Sequence, residues 1–184
     1  MTRVVLIGPP GAGKGTQADR LSGKLSVPHI STGDLFRAHI RDRTPLGQDV
    51  QRYLDAGQLV PDEVTNEMVR ERLLEPDAEK GFLLDGFPRT VAQSEVLDKM
   101  LAQSGVKLDA VVEFQIDEEV VVQRLLSRGR DDDSEDVIRH RQEIYRSETS
   151  PLLGYYRDLL VTIDAVGDMD EITARVLSAL RDRL

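Results

Sequence analysis

A glycine-rich segment, Gly8–Thr16, reads GPPGAGKGT and lies between a short apolar run and a segment of helical composition. Its glycines allow the backbone to curl with N–H groups pointing inward, and the start of the following helix adds partial positive charge. The lysine in the segment supplies a full positive charge at the same place. This order of strand, loop, lysine and helix predicts a site for nucleotide phosphates, formed by Gly11, Ala12, Gly13, Lys14, Gly15 and Thr16.

One position departs from the general phosphate-loop pattern. Gly15 follows Lys14 where Ser or Thr usually stands, and the hydroxyl comes one residue later, at Thr16. In the general pattern the hydroxyl directly after the lysine binds magnesium. The shifted position therefore argues against a direct bond from Thr16 to magnesium.

Arginine dominates the cations, since 19 of the 24 Lys and Arg residues are Arg. A bias in genomic base composition would produce this excess. A need for planar guanidinium groups, which bind phosphate through two hydrogen bonds, would produce it too. Composition leaves both explanations open, so the positions of the arginines must decide between them.

The overall composition limits the kinds of partner. The chain has 184 residues, enough for one domain with a sizeable core, and a formal net charge of −9. This acidic balance argues against a general nucleic-acid or anionic-membrane binder, although a few cations in one cleft can still bind small anions. Cysteine is absent, which excludes disulfides, cysteine–zinc sites and thiol catalysis. No apolar run reaches the roughly 18 residues of a transmembrane helix and no signal-peptide pattern is found, so we expect a cytoplasmic protein.

Hydrophobic patterning predicts strands that alternate with helices. The predicted strands are 4–7, 28–30, 82–84, 110–116 and 161–163. The predicted helices are 16–25, 32–41, 46–56, 62–74, 91–103, 118–127, 137–148, 152–159 and 169–184. Such alternation indicates a parallel sheet with helices on both faces and a ligand beyond the carboxyl ends of the strands.

Five ordered motifs resemble those of the adenylate kinases, in the short-lid form of that family of nucleoside monophosphate kinases. They are the phosphate loop, STGDLFR at 31–37, AGQLVPD at 56–62, LDGFPRT at 84–90 and the arginine-rich stretch 124–141. The resemblance covers nearly the whole chain and implies an α/β fold, the three-layer P-loop NTPase fold, with a five-stranded parallel sheet between helices. It also implies a single kinase domain, 1–184, with an AMP-binding insertion at 31–60 and a short lid at 128–138.

The resemblance further implies an activity and its partners. The activity is reversible transfer of a phosphoryl group from ATP to AMP, which gives two ADP and maintains adenine nucleotide balance. The partners are ATP, AMP and ADP, with Mg²⁺ accompanying ATP, and the implied state is a monomer. We expect no zinc, because the lid is short and the chain has no cysteine, and we expect no nucleic-acid or membrane partner.

Phosphoryl transfer brings several negative charges together, so its catalysis depends mostly on positioning and on stabilisation by cations. By resemblance, Arg37 and Arg89 hold the acceptor phosphate, and Arg124 lies against the donor adenine. The implied catalytic residues are Lys14, Arg89, Arg128, Arg130 and Arg141. Arg139 precedes Arg141 by two positions, about 200° around a helix, so both cannot face one site. The resemblance favours Arg141.

The resemblance also assigns nucleotide contacts. Beyond the phosphate loop, the implied ATP contacts are Arg124, Arg128 and Gly167. The implied AMP contacts are Thr32, Arg37, Gln58, Leu59, Val60, Gly86, Phe87, Pro88, Arg89, Gln93, Arg130 and Arg141. Similar uridylate–cytidylate kinases carry Ala in place of Thr32 and Asn in place of Gln93. The Gln93 amide can donate one hydrogen bond to an adenine edge and accept another, so AMP is favoured as the phosphoryl acceptor. The base of the phosphoryl donor is expected to be recognised with weak selectivity.

Asp85 is the candidate for the metal. It ends a buried strand, where a carboxylate is unfavourable unless it binds something. The resemblance makes it the residue that organises Mg²⁺ through water, and a helix-capping or ion-pairing role is the alternative. The acidic run 131–136 lacks the sixth-position glycine of an EF-hand and is expected to be a solvated lid surface. The three histidines form no ligand cluster and are interpreted as structural; they are His29, His39 and His140.

Two other functions stay open on sequence grounds. One is another small-molecule kinase with a phosphate loop, and the other is a regulatory module that holds a nucleotide without turnover. A GTPase switch would carry an Asn-Lys-x-Asp motif, and the chain has no Asn-Lys pair.

Overall fold

The computed structural model describes residues 1–56, 58, 60–129 and 134–184, with only the backbone described for Leu54. Within these residues five strands form one parallel sheet. The strands are β1 (Thr2–Ile7), β2 (His29–Ser31), β3 (Gly81–Asp85), β4 (Ala110–Gln115) and β5 (Leu160–Asp164). Their order across the sheet is β2-β3-β1-β4-β5, with every neighbouring pair parallel. The predicted α/β fold with a five-stranded parallel sheet is therefore confirmed.

Helices connect the strands. They are α1 (Lys14–Leu25), α2 (Thr32–Arg41), α3 (Pro45–Asp55), α4 (Asp62–Leu73), α5 (Val91–Gln103), α6 (Glu118–Arg128), α7 (Glu135–Ile144), α8 (Pro151–Tyr155) and α9 (Met169–Arg181). A 3₁₀ turn at Pro76–Ala78 and a π-helical turn at Tyr145–Thr149 complete the helical segments of the described residues.

Two of the predicted helices have wrong boundaries. The helix expected at 137–148 begins at Glu135 and gives way at Tyr145 to the π-helical turn, and the helix expected at 152–159 ends at Tyr155. Pro151 has no N–H to continue α-helical bonding. The backbone widens before it, and the N–H of Ser150 donates to the carbonyl of Tyr145 at 2.8 Å. Beyond Tyr155 the chain must leave the helix to enter β5.

Short polar side chains define where the site-bearing helices begin. The Ser31 hydroxyl accepts from the N–H of Asp34 at 3.4 Å at the start of α2. The Thr90 hydroxyl accepts from the N–H of Gln93 at 3.2 Å at the start of α5. Such caps stabilise a helix by about 1 kcal/mol each. α2 therefore begins directly at the end of β2, and α5 begins after the turn 86–90 that follows β3.

The side chains of β1 alternate between two buried layers. Val4 and Leu6 pack with residues of α1 and α9, including Ala18, Leu21, Val176 and Leu180. Val5 and Ile7 pack with residues of α4, α5 and α8, including Val69, Leu97, Leu101 and Leu152. This alternation confirms that helices cover both faces of the sheet. None of the helices in the described ranges is long and apolar enough to cross a membrane.

Strand register brings three loops together at one edge. Asp85, the last residue of β3, is aligned with Leu6 of β1 and with Ser31 at the end of β2. The segments that follow these strands are the phosphate loop, the start of α2 and the turn beginning at Gly86. They meet at the carboxyl edge of the sheet, where ligands of open α/β sheets bind.

Leu97→Ala is expected to lower the free energy of unfolding by about 2–5 kcal/mol, because truncating a fully buried leucine also leaves a cavity. Urea unfolding followed by circular dichroism measures the loss. Leu74→Ala is the matched control, since Leu74 is 63% exposed, and it should change the free energy by less than about 0.5 kcal/mol. Equal losses in the two variants would contradict this assignment of the core.

Candidate functional site

The loop after β1 turns on glycines with positive φ, 86° at Gly11 and 88° at Gly13. A Cβ on Gly11 would lie 2.9 Å from Val121 Cγ1, so a larger residue would not fit there. A Cβ on Gly13 would meet nothing within 4 Å, so the loop is open on that side. Gly13 is the N-cap of α1. The first N–H groups of a helix lack partners within it, which makes this loop a suitable place for an anion.

Lys14 folds back along this loop toward the neighbouring strand. Its Cδ lies 3.3 Å from the position that a Cβ on Gly8 would take, and its Nζ lies 3.7 Å from Asp85 Oδ1. Burial is the largest influence on the pKa of Lys14 and lowers it. The Asp85 carboxylate raises that pKa and the Arg89 guanidinium lowers it further, and the net shift is downward. The ammonium is thus poorly solvated, a condition that strengthens its attraction to a phosphate.

Asp85 is the carboxylate at this edge of the sheet. Its Oδ2 lies 3.3 Å from His29 Nε2, and His29 Nδ1 lies 2.7 Å from Asp19 Oδ1. Burial alone would raise the pKa of Asp85, but the hydrogen bond to His29 and the charge of Lys14 outweigh it, so this pKa is lowered. The hydrogen bond to Asp85 in turn raises the pKa of His29. Asp85 therefore stays ionised beside Lys14.

A cavity of about 370 Å³ lies against these residues. Among the described residues, three of the predicted cations line it: Lys14, Arg89 and Arg141. Its other walls come from β1, the phosphate loop, the turn after β3, and the end of α7 with the π-helical turn, through Leu6, Ile7, Gly8, Pro10, Gly86, Pro88, Ile144, Tyr145 and Thr149. Three positive charges in one partly apolar cavity favour a ligand that carries several negative charges.

The carbonyl of Gly86 organises the turn after β3. It accepts a hydrogen bond from Thr32 Oγ1 at 3.2 Å and another from Arg89 Nε at 3.0 Å. Gly86 has φ of 87°, and a Cβ there would lie 2.6 Å from Thr32 Oγ1. Glycine is thus required by both its backbone conformation and the close approach of α2. The neighbouring Phe87 is buried.

Gln93 links this turn to the start of α4. Its Oε1 accepts from the N–H of Arg89 at 2.7 Å, and its Nε2 donates to Asp62 Oδ1 at 3.0 Å. Both Gln93 and Thr32 are buried. The two residues predicted to identify the acceptor base therefore bond to the same turn, Thr32 at Gly86 and Gln93 at Arg89.

Other predicted site residues lie outside the described lining of this cavity. Arg37 forms an ion pair with Asp34 on the surface of α2. Arg124 lines a separate shallow surface of α6, and Arg128 is the last residue of that helix. Arg130 and Leu59 lie outside the described residues.

The remaining predicted contacts are backbone positions. The N–H of Gln58 donates to the carbonyl of Tyr53 at 2.8 Å, and Val60 lies just before α4. Gly167 has φ of 128° and precedes α9.

The two neighbouring arginines of α7 have different surroundings. Arg141 lines the cavity. Arg139 Nη1 donates to Glu119 Oε1 at 2.8 Å, and its Nε donates to Glu135 Oε1 at 3.0 Å. This placement agrees with the expectation that two side chains about 200° apart around a helix do not face one site.

Sequence reasoning missed three polar contacts at the site. It treated His29 as structural, and it gave Asp62 a place in the motif 56–62 and at a helix start but no contact. It did not consider Gln142, which is buried and whose Nε2 donates to the carbonyl of Pro10 in the phosphate loop at 2.9 Å. A lone polar residue in a helix carries no signal of such a contact, because its partner is 132 positions away in the chain.

The chain is similar to known proteins over nearly its whole length. The family described as adenylate kinase matches residues 6–160. The adenylate kinase of Nocardia farcinica (strain IFM 10152) is 61% identical over 178 residues, covering 97% of this chain and 98% of that protein. The adenylate kinase of Rhodococcus erythropolis (strain PR4 / NBRC 100887) is 58% identical with the same coverage, 97% and 98%. That of Mycolicibacterium smegmatis (strain ATCC 700084 / mc(2)155) is 61% identical, again over 97% and 98%.

Gly86→Ala is expected to destabilise the protein more than Gly105→Ala does. Both glycines have positive φ, but a Cβ at Gly105 would meet nothing within 4 Å. The variants therefore share backbone strain and differ in the clash with Thr32, which should add about 1–3 kcal/mol to the loss at Gly86. Urea denaturation gives both values, and indistinguishable losses would show that the approach of Thr32 is not restrictive.

Proposed function

This chain belongs to the adenylate kinase family, and from that premise we propose that its cavity holds the phosphates exchanged between ATP and AMP. The enzyme is a phosphotransferase that converts ATP and AMP reversibly into two ADP and thereby keeps adenine nucleotides in balance. The observation that carries the proposed site is the convergence of Lys14, Arg89 and Arg141 on one cavity beside the phosphate loop.

The reaction requires little covalent chemistry from the protein. An oxygen of the AMP phosphate forms a bond to the γ-phosphorus of ATP while the bond from that phosphorus to the β,γ-bridging oxygen breaks, and ADP is the leaving group. The transition state spreads negative charge over the transferred group, so positioned cations stabilise it. In the proposal Lys14 and the loop N–H groups hold the donor phosphates, with Gly11, Ala12, Gly13, Gly15 and Thr16 forming the loop. Arg89 holds the acceptor phosphate, and Arg141 faces the group in transit.

The remaining assignments extend the site over the two segments outside the sheet. Residues 31–60 are proposed to bind AMP, with Arg37 as a second phosphate ligand and the backbone of Gln58–Val60 facing the nucleoside. Residues 128–138 are proposed as a short lid, with Arg128 and Arg130 closing over the phosphates to exclude water. Arg124 and Gly167 are proposed to contact the ATP base. Support for this scheme comes from the motifs and from the loops that meet at the sheet edge.

The residues present fit a magnesium ion that arrives with ATP. In the described part of the chain no cluster of three or more His, Cys, Asp or Glu is arranged to hold a metal. Mg²⁺ commonly uses only one or two carboxylates and takes its other ligands from phosphates and waters. Asp85, held ionised beside Lys14, would hold it through water. Bound magnesium would neutralise charge on the ATP phosphates.

AMP is the proposed acceptor, and a cytoplasmic monomer is the proposed state. Supporting the first, the Gln93 amide is buried and accepts a hydrogen bond from the N–H of Arg89. The decisive experiment incubates the purified chain with ATP, Mg²⁺ and each nucleoside monophosphate in turn, and measures ADP formation. ADP should form fastest with AMP. Preference for another monophosphate would support a different small-molecule kinase, and binding of ATP with no ADP formed would support a regulatory module.

Lys14→Met should lower kcat by a factor on the order of 10²–10³, because it removes one positioned charge from the transition state. A coupled assay of ADP formation measures the rate. Lys24→Met, a change of the same kind on the exposed end of α1, is the matched control and should leave kcat near that of the unaltered protein. A near-normal rate in Lys14→Met would remove this lysine from the mechanism.

Gln93→Ala should raise the KM for AMP about tenfold or more, since the base loses its hydrogen-bonding partner, while the KM for ATP changes little. Steady-state kinetics with one nucleotide varied at a time separates the two constants. Unchanged AMP kinetics would refute the assignment of Gln93 to the acceptor base.

A further inference from the structure

The side-chain amide of Gln93 is held at both of its polar ends. The Arg89 N–H donates to Oε1 at 2.7 Å, and Nε2 donates to Asp62 Oδ1 at 3.0 Å. Gln93 is 7% exposed, whereas Asp62 lies exposed at the first position of α4. The contact therefore joins the helix that follows residues 31–60 to a buried amide that is bonded to the backbone of Arg89, a residue of the cavity lining.

The chemistry of the two partners allows only one orientation of the amide. A backbone N–H can only donate, and an ionised carboxylate can only accept. Rotating the amide by 180° would set its NH₂ group against the Arg89 N–H and its oxygen against the Asp62 carboxylate. Both contacts would then be repulsive, so the pair of partners determines which end of the amide is oxygen and which is nitrogen.

This orientation leaves a defined set of groups for a ligand. After its two bonds, the Gln93 amide retains one N–H and one lone pair. An adenine edge presents an amino donor beside a ring-nitrogen acceptor, which matches that pair. The corresponding edge of hypoxanthine or guanine presents a carbonyl acceptor beside an N–H donor, which is the reverse order. An amide that cannot turn over would accept the first pattern and oppose the second.

We propose that Asp62 is a specificity-determining positioning residue, which holds the Gln93 amide in the orientation that reads adenine in the acceptor nucleotide. This inference rests on the proposed function. Asp62 acts through Gln93 and needs no contact with the nucleotide. The same amide bonds to the backbone of Arg89, so the orientation of the base-reading group and the position of the phosphate ligand are connected.

The test measures AMP kinetics in Asp62→Ala at saturating ATP and Mg²⁺. The KM for AMP should rise about tenfold, with kcat and the KM for ATP close to those of the unaltered protein. The ratio of kcat/KM for AMP over IMP should fall, because the amide is free to turn toward the reversed edge. Asp62→Asn keeps an acceptor oxygen and should restore both the AMP KM and the discrimination.

Glu63→Ala is the matched control. Glu63 is the next exposed acid in the first turn of α4, so its removal takes away the same charge near the same helix start. Its AMP kinetics should remain those of the unaltered protein. In Asp62→Ser the helix start stays polar, but the serine side chain is too short to reach Gln93. This variant replaces Asp62→Ala in the comparison with Glu63→Ala if the alanine variant does not fold.

Several outcomes would overturn the inference. An unchanged AMP KM in an active Asp62→Ala protein would show that Arg89 alone orients the amide. A lower AMP KM would show that Asp62 competes with the base for Nε2. Equal effects in Asp62→Ala and Glu63→Ala would show that the kinetics respond to negative charge at the start of α4 and not to the hydrogen bond between Asp62 and Gln93. By contrast, failure of the proposed function itself would appear as no ADP formation from ATP and AMP in the unaltered protein.

Discussion

Positive charges facing one small cavity repel one another, and much of the local structure holds them in place. Burial lowers the pKa of Lys14, and the neighbouring Arg89 lowers it further. Asp85 provides the opposing charge at 3.7 Å and is kept ionised by His29. A ligand with several negative charges would relieve this repulsion. The site is therefore electrostatically complementary to phosphates before any nucleotide enters.

The net charge of −9 conceals this local arrangement. Arginines away from the cavity pair with acids on the surface, as Arg70 does with Glu67 and Arg139 with Glu119. Such exposed pairs contribute little to stability. The arginines thus fall into two groups. Arg89 and Arg141 face the cavity, whereas many others form ordinary ion pairs on the surface.

Hydrogen bonds to backbone groups, rather than ion pairs, set the geometry of the turn after β3. The Gly86 carbonyl accepts hydrogen bonds from the Thr32 hydroxyl and from Arg89 Nε. The N–H of Arg89 in turn donates to the Gln93 side chain. Thr32 links the turn to the start of α2, and Gln93 links it to the start of α5. Displacing any one of these groups would disturb a proposed phosphate ligand and a proposed base-reading group together. The proposed ligands of the acceptor's base and of its phosphate thus belong to one connected network.

Local sequence was sufficient to predict the order and type of the strands and α-helices and the position of the glycine-rich loop after β1. The predicted bounds of α2 and α5 agree with the structure because Ser31 and Thr90 cap them, and the five strands follow from short apolar runs. Packing decided the strand order, the π-helical turn before Pro151 and the cavity position of Arg141. It also decided the contact between Asp62 and Gln93, 31 positions apart, and that between Gln142 and Pro10, 132 apart. Caps and periodicity act between neighbours in the chain, whereas these contacts exist only after distant segments pack on the same sheet.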